Sequence, residues 1–330
     1  MGNNTKKKKR TYKKPERNLQ KIRQNRIYIG GSIPEKCIFL RFLDNEGLGM
    51  LLFMYAAGLT AKKKTNLPLC LLGANKKLHS DIDYRTFMEG KSVNEEDVKM
   101  RLSEAKPIFT KRSNGNPKTF TAKWSNTNIE YNKDENKNLK MTDAYYQNYS
   151  SVKAVIPDVK MSLIKNEFHK ESYKQVKNIF TDSSHTAFMH VRRGDYGMHG
   201  RYLPIDYYHT ALTKLENNET IKHVYIMSND MAWCKQHEAD WKKFFTKNIH
   251  YFDNSNELET LYAMMLCEGG AIIANSSFSC WGAMIGADMN EKSMIIYPSP
   301  WIKELGTDPN LLSFPKRWHP VKNSSIPTNP

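Results

Sequence analysis

The chain has 330 residues, of which 39% are hydrophobic and 25% are charged, and its formal net charge at pH 7 is +16. This composition is typical of a soluble globular protein with enough length for one large or two medium domains. The chain has no apolar run of about 18 residues and no apolar signal-peptide core, which argues against a transmembrane helix and a secretion signal. We therefore expect a soluble or peripheral membrane protein, with the cytoplasmic side favoured.

The positive charge is concentrated at the N-terminus. Residues 1–26 hold 11 Lys or Arg and one acid, Glu16, which leaves a net charge of +6 for the other 304 residues. We predict a disordered basic tail over residues 1–27. Such a tail can contact RNA or an anionic membrane surface, or it can remain solvated without a partner. It does not make the folded body a nucleic-acid-binding module.

The chain has five widely spaced cysteines, which are Cys37, Cys70, Cys234, Cys267 and Cys280. No two of them form a Cys-x-x-Cys pair. Three of them lie in apolar runs, where a reduced cysteine acts as a small core residue. The pattern predicts neither a zinc site nor a disulfide framework.

The first half of the chain begins with a predicted βαβ unit. It consists of a strand at 36–42, an apolar helix at 51–64 and a strand at 67–72. Gly47 and Gly49 lie in the turn before the helix, where glycines allow a close approach of the backbone. A nucleotide loop is the weaker interpretation, because the third glycine and the Lys-Ser/Thr of phosphate loops are missing.

The middle of the chain is polar. One helix is predicted at 94–105, and 114–140 is rich in Asn and Lys and is predicted to form loops or an insertion. Helical periodicity returns over 152–180, apart from Pro157.

Strands and helices alternate regularly from residue 186 onward. The predicted strands are 186–192, 223–227, 248–252, 270–274 and 293–297, and the predicted helices are 205–215, 231–245, 257–267 and 278–288. This alternation predicts an α/β fold with a doubly wound, mainly parallel sheet in the C-terminal half. Residues 306–330 are predicted to be a tail.

Polar residues follow three of these strands. Arg192, Arg193 and Asp195 follow the first, Asp230 follows the second, and 275–277 (Asn-Ser-Ser) follows the fourth. Arginine forks and helix N-termini both bind phosphate, so together these turns indicate a nucleotide-diphosphate crevice. The alternative for the arginines is a structural ion pair with the aspartate, and for the serines a helix cap. Trp233 and Trp281 are predicted to be core residues rather than base-stacking platforms.

Four ordered blocks of the sequence resemble glycosyltransferase family 11, the family of galactoside α-1,2-fucosyltransferases. They are HVRRGDY at 190–196, YIMSNDMAW at 225–233, LYAM at 261–264 with IIANSSFSCWGA at 272–283, and GLG at 47–49 with FMYAAG at 53–58. The first block resembles the family's His-x-Arg-Arg-x-Asp signature. Two positions depart from the family: its Asn-Gln after Gly-Leu-Gly is Met50-Leu51 here, and its Trp-Trp pair is Cys280-Trp281.

The resemblance implies a GT-B-like fold of two Rossmann-like lobes. Its predicted domains are an acceptor-side lobe with a polar insertion over 28–150, a GDP-fucose-binding lobe over 151–305 and the tails on either side. The implied reaction transfers L-fucose from GDP-β-L-fucose to a galactoside hydroxyl, with an α-1,2 linkage, inversion and no metal cofactor. The partners implied are GDP-fucose and a glycan acceptor; the oligomeric state stays open.

The resemblance also assigns roles to residues. Arg193, supported by Arg192, would stabilise the departing diphosphate, and His190 and Asp195 would orient the loop or contact the nucleotide. The remaining predicted contacts to GDP-fucose are Asp230, Asn275, Ser276, Ser277 and Phe278. Asp44, Glu46 and Asp195 are the candidates for the general base. Two alternatives stay open: a relative that binds a nucleotide sugar or glycan without turnover, motivated by Met50 and Leu51, and a protein that acts through its basic tail.

Overall fold

Two parallel β-sheets carry the fold in the computed structural model, within the residues that it describes. The described residues are 32–42, 46–73, 87–108, 110–111, 128–129, 137–141, 146–165, 167, 169–254, 256–301 and 312–323. The predicted basic tail and Asp44 lie outside the described residues. The predicted domain boundaries stay a prediction.

The first sheet has five parallel strands in the described residues. They are β1 (Ile38–Arg41), β2 (Leu69–Leu72), β3 (Lys91–Val93), β4 (Lys106–Ile108) and β7 (Leu139–Met141), and the spatial order is β3-β2-β1-β7-β4. A short antiparallel pair, β5 (Thr110–Lys111) and β6 (Asn128–Ile129), stands apart from it. Helix α1 (Leu48–Thr65) connects β1 to β2, which confirms the predicted βαβ unit.

Helix α1 is buried without interruption from Leu48 to Ala61, because its sequence is apolar on every side. It ends where Lys62, Lys63 and Lys64 place cations near its C-terminus and Asn66 adopts a left-handed conformation with φ 58°.

The polar middle of the chain contributes more to this sheet than predicted. Strand β7 begins at the end of the stretch 114–140 that was interpreted as loops or insertion, and it pairs with both β1 and β4. Its three residues are too few for an alternating pattern to be readable in the sequence. The helix predicted at 94–105 is present as a 3₁₀ turn followed by α2 (Lys99–Glu104).

Three helices connect the two sheets: α3 (Tyr149–Val152), α4 (Ile156–Ile164) and α5 (Lys170–Lys177). Pro157 lies in the first turn of α4, where its missing N–H leaves no hydrogen bond unmade. The predicted helical character of 152–180 is therefore confirmed in the described part of this stretch.

The second sheet is parallel and doubly wound, as predicted. Its strands are β8 (Thr186–Val191), β9 (His223–Ser228), β10 (Asn248–Tyr251), β11 (Gly270–Ile272), β12 (Met294–Ser299) and β13 (His319–Lys322). The spatial order is β10-β9-β8-β11-β12-β13. The chain builds outward from β8 in one direction and then from β11 in the other. The order therefore reverses between these two strands.

The helices of this half are α6 (Ile205–Glu216), α7 (Met231–Gln236), α8 (Glu238–Phe244), α9 (Glu257–Met265) and α10 (Ser277–Ile285). The prediction of one continuous helix at 231–245 is wrong, because the segment forms two helices, α7 and α8, separated at His237. The predicted C-terminal tail is also wrong in part: β13 pairs with β12 and buries Val321. Pro320 fits there because β13 is an edge strand.

Helix α1 of the first half packs against helix α10 of the second. A Cβ built on Gly49 would lie 2.3 Å from the backbone nitrogen of Phe278, so the two helices touch backbone to backbone. The Phe53 and Trp281 ring centroids are 5.0 Å apart in the same contact. One cluster of buried apolar side chains includes residues of both sheets.

All five cysteines are buried and free of disulfide bonds. Their burial agrees with the prediction that the cysteines in apolar runs act as core residues. No helix in the described ranges combines the length and apolar character needed to cross a bilayer.

Gly49→Ala is expected to lower the free energy of unfolding by about 3 kcal/mol, because a methyl group cannot enter a backbone contact without displacing a helix. The matched control is Gly47→Ala: a Cβ there meets no atom within 4 Å, and its φ of −75° suits any residue. We expect the control to change stability by less than about 1 kcal/mol. Urea denaturation followed by circular dichroism compares the two, and equal losses would contradict the packing described.

Candidate functional site

The candidate site lies at the carboxyl edge of the second sheet, where the strand order reverses. β8 and β11 are neighbours there, with Ile272 opposite Met189. Loops that leave such a pair diverge to opposite faces of the sheet and open a crevice, which is where open α/β sheets bind ligands. The predicted site residues that follow β8, β9 and β11 all belong to this edge.

Arg193 is held on three sides. Its backbone N–H donates to Asn229 Oδ1 at 2.8 Å, and its Nε donates to Asp230 Oδ2 at 3.2 Å. The guanidinium carbon lies 4.2 Å from the centroid of the Trp233 ring and 4.4 Å from that of Tyr202. Its two terminal nitrogens make no hydrogen bond to any described residue. The side chain is 22% exposed, so these nitrogens remain accessible to an anion.

Arg192 has a different environment. Its Nη2 pairs with Asp195 Oδ1 at 2.8 Å across one 3₁₀ turn, and its guanidinium lies over the Tyr196 ring at 5.3 Å. The side chain of Asp195 is 48% exposed. The structural ion pair with Asp195, one of the two alternatives for the arginines, is thus present at Arg192. Arg193 forms its ion pair with Asp230 instead.

Asp230 engages both of its carboxylate oxygens within the protein. Oδ2 accepts from Arg193, and Oδ1 accepts the backbone N–H of Trp233 at 3.2 Å, which caps helix α7. In this structure the carboxylate orients Arg193.

His190 is buried at the end of β8, with 4% of its surface exposed. Burial, reinforced by the charge of nearby Arg192, lowers the pKa of His190 to about 3. The imidazole is therefore neutral at physiological pH. It meets the Phe278 ring edge-on at 5.9 Å, which links β8 to the start of α10.

Helix α10 begins at the edge of the crevice. Ser276 is its N-cap residue, yet its side chain makes no capping hydrogen bond. Asn275 is 5% exposed and donates from Nδ2 to the Arg201 carbonyl at 3.1 Å, while its Oδ1 has no partner among the described residues. Ser277 and Phe278 open the helix and are half-buried. A buried polar atom without a partner beside free helix N–H groups is suited to a polar ligand.

Tyr196 joins the loop after β8 to that helix start. Its hydroxyl donates to the Asn275 carbonyl at 3.2 Å, and the backbone N–H of Arg201 donates to the Tyr196 carbonyl at 3.0 Å. The arginine loop and the start of α10 are therefore one hydrogen-bonded unit.

The N-terminal turn of α1 lies next to the start of α10, because Gly49 is in contact with the Phe278 backbone. Glu257, the first residue of α9, accepts the Leu48 backbone N–H at 3.3 Å and so places a carboxylate at the start of α1. Glu46 is half-buried and precedes the N-cap residue of α1, Gly47. The sequence reasoning missed Glu257, although an acid that follows β10 at a helix start was a usable signal.

Met50 and Leu51, which replace the polar pair of the resembled family, are both buried in α1 and belong to the core that joins the sheets. Apolar side chains satisfy these positions without polar partners. Trp281 is fully buried, which confirms its prediction as a core residue. The same prediction is incomplete for Trp233, which is half-buried and lies against Arg193.

No group of three or more metal-ligating side chains is placed to hold a metal ion in the described ranges.

The model of glycosyl transferase family 11 matches residues 124–301, which is more than half of the chain. The chain belongs to glycosyl transferase family 11. The matched region of this family 11 chain includes the whole loop after β8, the turn after β9 and the start of α10.

Two curated relatives from Escherichia coli are similar to part of this family 11 chain. The O-antigen biosynthesis glycosyltransferase WbnK is 29% identical over 136 residues, which are 38% of this chain and 42% of the relative. An alpha-1,2-colitosyltransferase is 29% identical over 126 residues, 36% of this chain and 42% of the relative. The chain thus spans less than half the length of these relatives. Among solved structures, the fucosyltransferase NodZ from Bradyrhizobium is 12% identical with a TM-score of 0.47, over 77% of this chain and 94% of NodZ.

We expect the His190 imidazole to stay neutral between pH 8 and pH 5. In the unfolded chain its pKa returns to about 6.5, so the unfolded state binds a proton that the folded state excludes. Stability is therefore lost as pH falls below about 6.5, by at most about 1.4 kcal/mol per unit for this group. NMR of the histidine ring signals, assigned by the signal missing in His190→Gln, measures the titration. A midpoint between pH 6 and 7 would contradict the buried, neutral state.

Proposed function

We propose that this family 11 chain transfers L-fucose from GDP-β-L-fucose to a hydroxyl of a galactoside, with inversion to an α-1,2 linkage. The observation that carries the proposal is an arginine whose terminal nitrogens make no hydrogen bond within the described residues. Arg193 lies in the loop after β8, at the reversal of strand order, and Tyr196 of the same loop is hydrogen-bonded to Asn275 just before α10. Family membership supports a glycosyl donor, and the name of the related alpha-1,2-colitosyltransferase supports the linkage.

The leaving diphosphate is the group that the site is built to stabilise. When the bond between the sugar C1 and the phosphate oxygen breaks, its electron pair goes to GDP and negative charge develops on the diphosphate. The terminal nitrogens of Arg193 and the backbone N–H of Ser277 at the start of α10 are suited to receive that charge. Donors aimed at developing charge often supply the largest part of catalysis. The proposed reaction therefore needs no metal ion.

The acceptor hydroxyl attacks C1 from the face opposite GDP, and its proton passes to a carboxylate. Asp195 is engaged by Arg192, so we assign it to holding that side chain. The carboxylates near the N-terminus of α1 are Glu46 and Glu257, and we assign the base to this pair.

Arg193→Ala is expected to lower kcat for fucosyl transfer by about 100- to 1000-fold, because one donor to the developing charge is lost. The matched control is Lys235→Ala, which removes an exposed cation of the same half that pairs with Asp253 at 2.9 Å; its activity should stay within about twofold. The assay follows GDP release and fucosylated product from GDP-fucose and a β-galactoside.

Three results of this assay go against parts of the proposal. GDP-fucose binding without product indicates a binding protein without turnover, which is the alternative function. Retained activity in Arg193→Ala removes the role of this residue. Loss of wild-type transfer in EDTA, restored by Mg²⁺, contradicts metal independence.

Glu46→Gln and Glu257→Gln separate the two candidate bases. The variant that lacks the base is expected to lose kcat by about 100-fold or more while its affinity for GDP is unchanged, since the base acts only on the acceptor proton. Steady-state kinetics and calorimetric GDP titration measure the two quantities. If both variants keep wild-type kcat, the base is not at this helix start.

A further inference from the structure

We propose that Tyr202 and Trp233 are positioning residues, whose rings hold the Arg193 guanidinium so that its terminal nitrogens can bind the diphosphate. This inference rests on the role proposed above for Arg193. The pair of rings is called the aromatic clamp below.

Both rings of the clamp lie within cation–π distance of the guanidinium. The guanidinium carbon lies 4.2 Å from the Trp233 centroid and 4.4 Å from the Tyr202 centroid, within the distance of about 6 Å at which a cation and a ring attract each other. A guanidinium donates hydrogen bonds only in its own plane. With two rings near the guanidinium and its Nε bound to Asp230, the terminal nitrogens are left to bind an anion.

The two rings come from different parts of the chain. Trp233 lies in α7, which follows β9, and its inner side packs against the core around that helix. Tyr202 lies in the loop that follows β8 and is 39% exposed, so the core does not hold it. The position of Tyr202 must depend on local contacts.

Gly197 provides the contact that fixes Tyr202. A Cβ built on Gly197 would lie 2.1 Å from the Tyr202 hydroxyl oxygen and 2.6 Å from Cζ, so the ring end rests on the glycine backbone. The adjacent Arg201 is tied at both backbone groups, to Tyr196 and to Asn275. A Cβ at Gly197 would overlap the Tyr202 hydroxyl, so the Tyr202 ring would have to leave its present position.

A comparison with Arg192 shows what the clamp adds. Arg192 has one ring, Tyr196, at the longer distance of 5.3 Å, and its Nη2 is occupied by Asp195. Ordering a free arginine costs side-chain entropy, which an anion must overcome when it binds. The clamp orders Arg193 before binding, and this preorganisation increases affinity without a new contact to the ligand.

The experiment is a double-mutant cycle on GDP affinity, measured by isothermal titration calorimetry on the full chain. Tyr202→Leu is expected to weaken GDP binding about tenfold, whereas Tyr202→Phe, which keeps the ring, stays within about twofold. In the Arg193→Ala background, Tyr202→Leu should change affinity by less than about twofold, because the clamp then has nothing to hold.

Gly197→Ala is a second way to remove the Tyr202 ring from Arg193. We expect it to weaken GDP binding about as much as Tyr202→Leu and to add no more than about twofold in the Gly197→Ala/Tyr202→Leu double variant, because both changes remove the same ring from Arg193. Thermal unfolding of each variant establishes that the folded protein is being titrated.

Each other outcome overturns a definite statement. An equal tenfold loss on Tyr202→Leu with and without Arg193 means that the ring contacts the nucleotide itself, and the positioning role is wrong. No effect of Tyr202→Leu alongside a loss in Arg193→Ala refutes the clamp and leaves the proposed function intact. Unchanged GDP affinity in Arg193→Ala removes the proposed role of Arg193, and the clamp with it.

Discussion

The backbone contact between Gly49 of α1 and Phe278 of α10 is the constraint on which the site depends. It brings the start of a helix from the first sheet onto the start of a helix from the second. The N-terminal N–H groups of α10, the carboxylate of Glu257 and the chain around Glu46 consequently belong to one region. Only glycine permits this approach. A larger residue would separate the two helices and, with them, the two sides of the proposed reaction.

Regular alternation made the second half of the chain predictable. Strands of three to six residues that alternate with helices were recognisable one by one, and the alternation predicted that the sheet is parallel. What escaped prediction had weak local signals. β7 has three residues, β13 contains a proline, and the break at His237 lies in a sequence that is helical on both sides. Tertiary pairing decided these elements, and local preference did not.

In the candidate site, too, local sequence signals predicted some features, and tertiary contacts decided the others. The sequence placed Arg192 and Arg193 at a strand end together, but it could not tell which of them pairs with its own turn. Adjacent side chains on a chain that leaves a strand point to different sides. One arginine therefore meets Asp195, while the other meets Asp230 and Trp233, which lie nearly 40 residues further along. Contacts between loops of neighbouring strands create this asymmetry, and no local motif encodes it.

The neutral state of His190 completes the electrostatic design of the site. A buried charged imidazole beside Arg192 would add repulsion where two guanidinium groups already lie, and burial prevents it. The positive charge available to the proposed diphosphate then comes from arginines, which stay protonated across the physiological range. Stabilisation of the leaving group should not vary with pH between about 5 and 9. Any pH dependence of kcat in that range would report the carboxylate that takes the acceptor proton, or the acceptor itself.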